Sequence, residues 1–171
     1  MCTHHFSRDR HPYAIPGPCY ALDVPTSTSA ATLPCACNAV KKLSRLLGRG
    51  YDTALAEAGI NVTQWAVMRC IGRYPGVPLS HIAQELELDR TSLYRAVSVM
   101  VRDGWLEVTG VDDARSRTAR ITQRGKRVLA KAASGWEGMQ NRVIGQFGVE
   151  AYQSLLAELD RLAACVGEDV S

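Results

Sequence analysis

Between Asp89 and Arg102 the chain places Arg90, Thr91, Ser92, Tyr94, Arg95, Ser98 and Arg102 at spacings that fall on one side of a helix, with Leu93, Val97, Met100 and Val101 on the other. A row of guanidinium and hydroxyl groups donates hydrogen bonds and carries positive charge, which suits phosphate oxygens and base edges. A helix lying in a DNA major groove presents such a row. Asp89 stands where an N-cap carboxylate accepts a free helix N–H, and Asp103-Gly104 stands where a glycine ends the helix.

The second place with chemistry of its own is Pro34-Cys35-Ala36-Cys37-Asn38. Cys37 falls in the first turn of a helix, where unpaired N–H groups and the helix dipole favour a thiolate, and Lys41 and Lys42 follow one turn on. Cys35 and Cys37 are too close for an unstrained disulfide within a helix, so a resolving thiol would be Cys19, Cys70, Cys165 or a small molecule. Cys70 and Cys165 lie on or beside apolar stripes and are expected to be inert.

Several elements must hold these groups. Ser80 is expected to cap a short helix with Ile82, Ala83 and Leu86 on its apolar side, immediately before the helix from Asp89. Trp105-Leu106-Glu107-Val108-Thr109 has strand composition, the segment Gly110 to Ser116 forms a tip with Asp112, Asp113 and Arg115, and Arg117 to Ile121 returns as a second strand. In that return strand Arg117 and Ala119 share one side. An arginine at such a tip reaches a minor groove, where a narrow groove strengthens the negative potential. Two helices followed by a basic hairpin make a winged helix-turn-helix over residues 62–121, in a chain that is otherwise mainly α.

Charge is confined to the same stretch. From Asp89 to Arg127 there are nine Lys or Arg against five Asp or Glu, whereas the whole chain carries only +3. A local basic stripe is the electrostatic footprint of a nucleic-acid binder.

On these residues the chain resembles the MarR family of bacterial transcription regulators. The pattern is Ile82-Ala83-x-x-Leu86, Asp89-Arg90-Thr91-Ser92-Leu93-x-Arg95, Asp103-Gly104-Trp105-Leu106, Asp113-x-Arg115 and Ile121-Thr122-x-x-Gly125, and the resemblance spans residues 35–168. It implies that Arg115 is the wing arginine, that Thr91, Ser92 and Arg95 face the groove, and that the protein is a repressor released by a small molecule or by thiol oxidation. Val108 and Ala114 stand where the family often has arginine. Around Cys37 the chain is also similar to the family's organic-hydroperoxide sensors: Ser44-Arg45, Tyr51 and Gln64 keep their spacing from the cysteine, with Val62 where a second tyrosine partner stands.

Residues 35–60 and 122–168 read as long amphipathic helices. One carries Val40, Leu43, Leu46, Leu47, Tyr51 and Leu55. After Thr122 come Val128, Leu129, Ala132, Trp136, Met139, Val143 and Phe147, and after Gly148 come Tyr152, Leu155, Leu156, Leu159, Leu162, Ala163 and Val166. The reading head cannot cover these faces by itself, so they are expected to pair with a second copy as a homodimer on a palindromic duplex DNA site. Between Val62 and Tyr74-Pro75-Gly76 another helix sets Trp65, Met68, Ile71 and Gly72 inward, and Tyr51, Trp65 and Met68 are the expected lining of an effector pocket.

Residues 1–34 hold five of the seven prolines and the run Pro25-Thr26-Ser27-Thr28-Ser29, the composition of an irregular or disordered arm. Cys2, His4, His5 and His11 lack a metal-ligand spacing, and neither a metal nor a cofactor is expected. With no apolar run long enough for a signal peptide or a membrane span, the protein is expected in the cytoplasm with its six cysteines as free thiols. Two other classes fit these residues less well. A winged helix that docks proteins is disfavoured by Arg90, Arg95, Arg115, Arg117 and Arg120. A thiol enzyme using Cys37 lacks a nearby histidine, so no enzyme is expected.

Overall fold

The computed structural model describes residues 33–110 and 117–167. In chain order the elements are α1 (Ala36–Leu55), a 3-10 turn (Ala56–Ala58), α2 (Val62–Arg73), α3 (Leu79–Glu85), α4 (Arg90–Arg102), β1 (Leu106–Thr109), β2 (Thr118–Ile121), α5 (Gln123–Phe147) and α6 (Val149–Gly167). The strands pair antiparallel with Leu106 opposite Ile121 and Thr109 opposite Thr118. This is the mainly α winged helix-turn-helix with long flanking helices that the sequence predicts. The wing tip with Asp112, Asp113 and Arg115, and the N-terminal arm up to residue 32, lie outside the described residues.

Of the described residues, 33–39 belong to one unit, in which the Ala39 N–H donates to the Cys35 carbonyl at 3.1 Å to close the first turn of α1. The second unit begins at Val40. Its core is built on α2, whose Val67 and Met68 are fully enclosed together with Leu55, Leu79, Ile82, Leu93, Met100 and Leu106. Each such side chain contributes about 1.5–3 kcal/mol by leaving water. That burial seats α3, α4 and the hairpin as one body.

Local signals decide where the helices begin. Asn61 starts α2 with a reciprocal box: its Oδ1 accepts from the Gln64 N–H at 2.8 Å while Gln64 Oε1 accepts from the Asn61 N–H at 3.0 Å. Asp89 caps α4 as predicted, accepting from the Ser92 N–H at 2.9 Å and from the Ser92 hydroxyl at 2.6 Å. These bonds hold its carboxyl below the usual aspartate range. Thr122 caps α5 through the Gly125 N–H at 3.0 Å and donates to the Gly104 carbonyl at 2.7 Å, which joins the two ends of the wing.

Four expectations are corrected. Ser80 does not cap α3: the N-cap is Pro78, whose carbonyl already accepts from the His81 N–H at 3.0 Å and the Ile82 N–H at 3.4 Å, so Ser80 lies inside the first turn. Val101 is 40% exposed, since Leu93, Val97 and Met100 already complete the inner stripe of α4. Gly72 is exposed on α2, although a Cβ there would rest 3.4 Å from Ile121 Cδ1. Cys165, expected to be inert, is exposed in the single chain, whereas Cys70 is buried.

Helix α5 crosses the first helix at a glycine. A Cβ on Gly135 would strike the Ala54 carbonyl oxygen, which is backbone and cannot rotate away, while nothing stands within 4 Å of a Cβ on Gly138 one turn on. Helix propensity alone favours alanine at both sites by about 1 kcal/mol, but overpacking costs about 1–3 kcal/mol or more. Thermal unfolding should therefore show Gly135→Ala destabilised and Gly138→Ala stabilised. Equal behaviour of the two variants would contradict this crossing.

Candidate nucleic-acid interface and effector cleft

The helix-turn-helix is held by main-chain bonds across its turn. The Leu86 N–H donates to the Ile82 carbonyl at 3.2 Å and the Leu88 N–H to the Ala83 carbonyl at 2.9 Å, with Glu87 between them in the left-handed region at φ 48°. Helix α4 therefore leaves the turn in a fixed direction. With Leu93, Val97 and Met100 buried, its other side exposes Arg90, Thr91, Ser92, Arg95, Ser98 and Arg102. Tyr94 and Arg117 are half-buried, and the Arg117 guanidinium lies 5.8 Å from the centre of the Tyr94 ring. Six of the seven predicted DNA-facing residues thus gather on α4 and the adjoining end of the wing, and the seventh, Arg115, lies outside the described residues. Ser92 spends its hydroxyl on Asp89, so it belongs to the cap as well as to the exposed face.

On the far side of α2 an open cleft of about 420 Å³ is lined by Tyr51, Val62, Trp65, Arg69, Cys70, Arg73, Glu85 and Trp136, among others. Its aromatic wall is continuous: Trp65 and Trp136 stack with centroids 5.8 Å apart, and Tyr51 sits 6.5 Å from Trp136. The Arg69 guanidinium lies 5.6 Å over the Trp65 ring. The Tyr51 hydroxyl donates to Gln140 Oε1, whose amide nitrogen donates to the Tyr152 hydroxyl at 2.9 Å, so the wall is tied to α5 and α6. Burial, and then the neighbouring Tyr152, push the Tyr51 hydroxyl up from its ordinary value. Burial also raises the Cys70 thiol, Glu85 adds to this, and Arg73 partly opposes it.

Of the predicted pocket residues, Tyr51 and Trp65 line this cleft. Met68 does not, because it is fully enclosed in the core and reaches no part of the cleft surface. Cys37 is exposed on the opening turn of α1. Arg69, Arg73, Glu85 and Trp136 were not singled out by the sequence. The available signal was the stripe Val62, Trp65, Ala66, Arg69, Cys70 and Arg73, which keeps helical spacing but mixes apolar and charged groups. Among the described residues no cluster of three or more His, Cys, Asp or Glu is arranged to hold a metal ion, and no helix is long and apolar enough to cross a membrane.

A two-helix reading head, a short wing and long flanking helices define a winged helix-turn-helix transcription regulator. A sequence profile of the MarR family matches residues 58–116. The chain is 30% identical to MosR, a transcriptional regulator of M. tuberculosis solved in complex with DNA, over 77% of this chain and 98% of that one, with a TM-score of 0.66. It also shares the fold of PcaV from Streptomyces coelicolor, solved with its natural ligand, at 20% identity over 82% of this chain and 98% of that one, with a TM-score of 0.68. No match was found among curated proteins. The chain belongs to the MarR family of transcription regulators.

The two cysteine environments differ enough to measure. With an alkylating reagent at pH 8, Cys35, Cys37 and Cys165 should react readily and Cys70 roughly a hundredfold more slowly, since buried thiols with raised pKa react only through opening. Because Tyr51 and Cys70 both have raised folded values, their contribution to stability is complete below the unfolded pKa and is lost as pH rises through the folded one. Denaturant midpoints should fall above about pH 9 on that account. Rapid labelling of Cys70 in the folded protein would contradict the enclosed cleft wall.

Proposed function

We propose that the protein is a homodimeric, DNA-binding repressor that acts in the cytoplasm on a palindromic operator and is released when a small molecule occupies the α2 cleft. The observation that carries this reading is the exposed row Arg90, Thr91, Arg95 and Ser98 on a capped helix whose other side is locked in the core. Arg115 is assigned to the minor groove beside it. A protein-docking role is disfavoured because the exposed face is charged where a docking surface is apolar. Residues 35–60 and 122–168 are the dimerisation helices. Val40, Leu43 and Leu46 on α1, and Leu156, Leu162 and Val166 on α6, remain exposed in the single chain, which supports burial against a second copy.

The cleft suits a planar, negatively charged compound. Tyr51, Trp65 and Trp136 offer ring faces, and Arg69 and Arg73 offer two cations beside them. Oxidation of Cys37 is a second route to release, supported by its exposure on the first turn of α1 and by the partner spacing to Tyr51.

Selection of duplexes by the purified protein, followed by titration at several salt concentrations, tests the DNA reading. A dimer neutralising about six to ten phosphates should show a log–log slope of several units, near 0.9 per contact. Arg95→Ala should relax base preference, and Arg115→Ala should cost about 1–3 kcal/mol per half-site. Absence of duplex retention at low salt would overturn the reading. In light scattering, Leu162→Glu should shift the dimer toward monomer and weaken operator binding with it. A Cys37→Ser protein should keep DNA binding and lose sensitivity to hydroperoxide, and unchanged sensitivity would remove Cys37 from the mechanism.

A further inference from the structure

The wing has two strands of four residues each, and a lone two-stranded hairpin is marginal in water. Its angle to α4 therefore depends on contacts made outside the hairpin. Three of them converge at the start of β2. The Arg117 carbonyl accepts from the Leu79 N–H at 2.7 Å, and Thr118 bridges Pro78 as an extra antiparallel partner. The third contact is the Arg117 guanidinium against Tyr94, at 5.8 Å, within the range where a cation is held by a ring face. The first two fasten the return strand to α3. Of these three, the third reaches from there to α4, on which β1 also packs, and it spans a cleft of about 480 Å³ floored by Leu79, Val97, Val101 and Val108.

We propose that Tyr94 and Arg117 are positioning residues: their stack fixes the wing's angle to α4, and so the distance between major-groove contacts and the wing's reach into the minor groove, and neither reads a base. The assignment rests on the reading of α4 as the recognition helix. Tyr94 is half-buried while its neighbours Thr91, Arg95 and Ser98 are exposed, as a ring engaged with the wing must be. Alternation along the return strand puts Arg117 on the inner side with the buried Ala119, where its side chain can reach Tyr94, and Arg120 on the exposed side.

The test uses variants that separate ring from charge. In the DNA-free full-length protein, amide hydrogen exchange over residues 106–109 and 118–121 should rise by about tenfold in Tyr94→Leu and in Arg117→Gln, stay at wild-type rates in Tyr94→Phe, and rise no further in the double variant. On a duplex selected by the wild-type protein, Tyr94→Leu should reduce the salt slope by about one unit, although it removes no charge, because the wing's phosphate contacts are lost with its position. Wild-type exchange in both Tyr94→Leu and Arg117→Gln would overturn the proposal. So would a Tyr94→Leu protein that relaxes preference at one base pair with its slope intact. If Tyr94→Leu does not fold, exchange in Arg117→Gln decides alone. Failure of the wild-type protein to bind any duplex would remove the DNA reading and leave the exchange result standing on its own.

Discussion

Helix α2 is the constraint on which the rest of the structure depends. One side carries Val67 and Met68 into the core, in one cluster with Leu79 and Ile82 of α3, Leu93 and Met100 of α4, Leu106 of β1 and Ala119 of β2. The other side carries Trp65, Arg69, Cys70 and Arg73 into the open cleft. A helix this tightly packed transmits displacement and does not absorb it, since close-packed interiors have few voids to collapse into. Whatever enters the cleft therefore presses on the same rod that seats α4. The Tyr51, Gln140 and Tyr152 chain links that cleft to α5 and α6, so the proposed sensing and dimerising surfaces share neighbours.

Binding surface and stability are separated on α4 with little overlap. Leu93, Val97 and Met100 hold the helix, and the exposed arginines and hydroxyls add little to that hold. The exception is the turn that precedes it. Asp89 ties down the first turn through Ser92, and Glu87 accepts a left-handed backbone that a non-glycine residue adopts only at a cost of about 1–2 kcal/mol. That cost is borne where the direction of α4 is set.

Much of this was legible in the sequence because its signals are local. Periodicity placed the apolar stripes of α1, α5 and α6, Asp89 and Thr122 announced their helices, and Gly104 and Gly148 ended the preceding ones. What escaped depended on contacts between distant segments. Ser80 looked like a cap, but α3 already starts at Leu79, whose N–H is held by the Arg117 carbonyl across 38 positions, a contact that no local pattern reveals. Met68 and Trp65 sit three residues apart and both join the core, yet only Trp65 also reaches the edge of the cleft, while Met68 is wholly enclosed. Arg69 and Arg73 carry little local signal of a site, because Trp136, from the far end of the chain, completes the wall beside them.

The central claim is that two copies of α4 read a duplex through their exposed polar faces, and base-level footprinting tests it most directly. On a duplex selected by the protein, dimethyl sulfate reports guanine N7 atoms, which lie in the major groove. The account predicts protection in two patches on one face of the duplex, one or more helical turns of about 10 base pairs apart, each lost in Arg95→Ala. Uniform accessibility, or protection that survives Arg95→Ala unchanged, would contradict it.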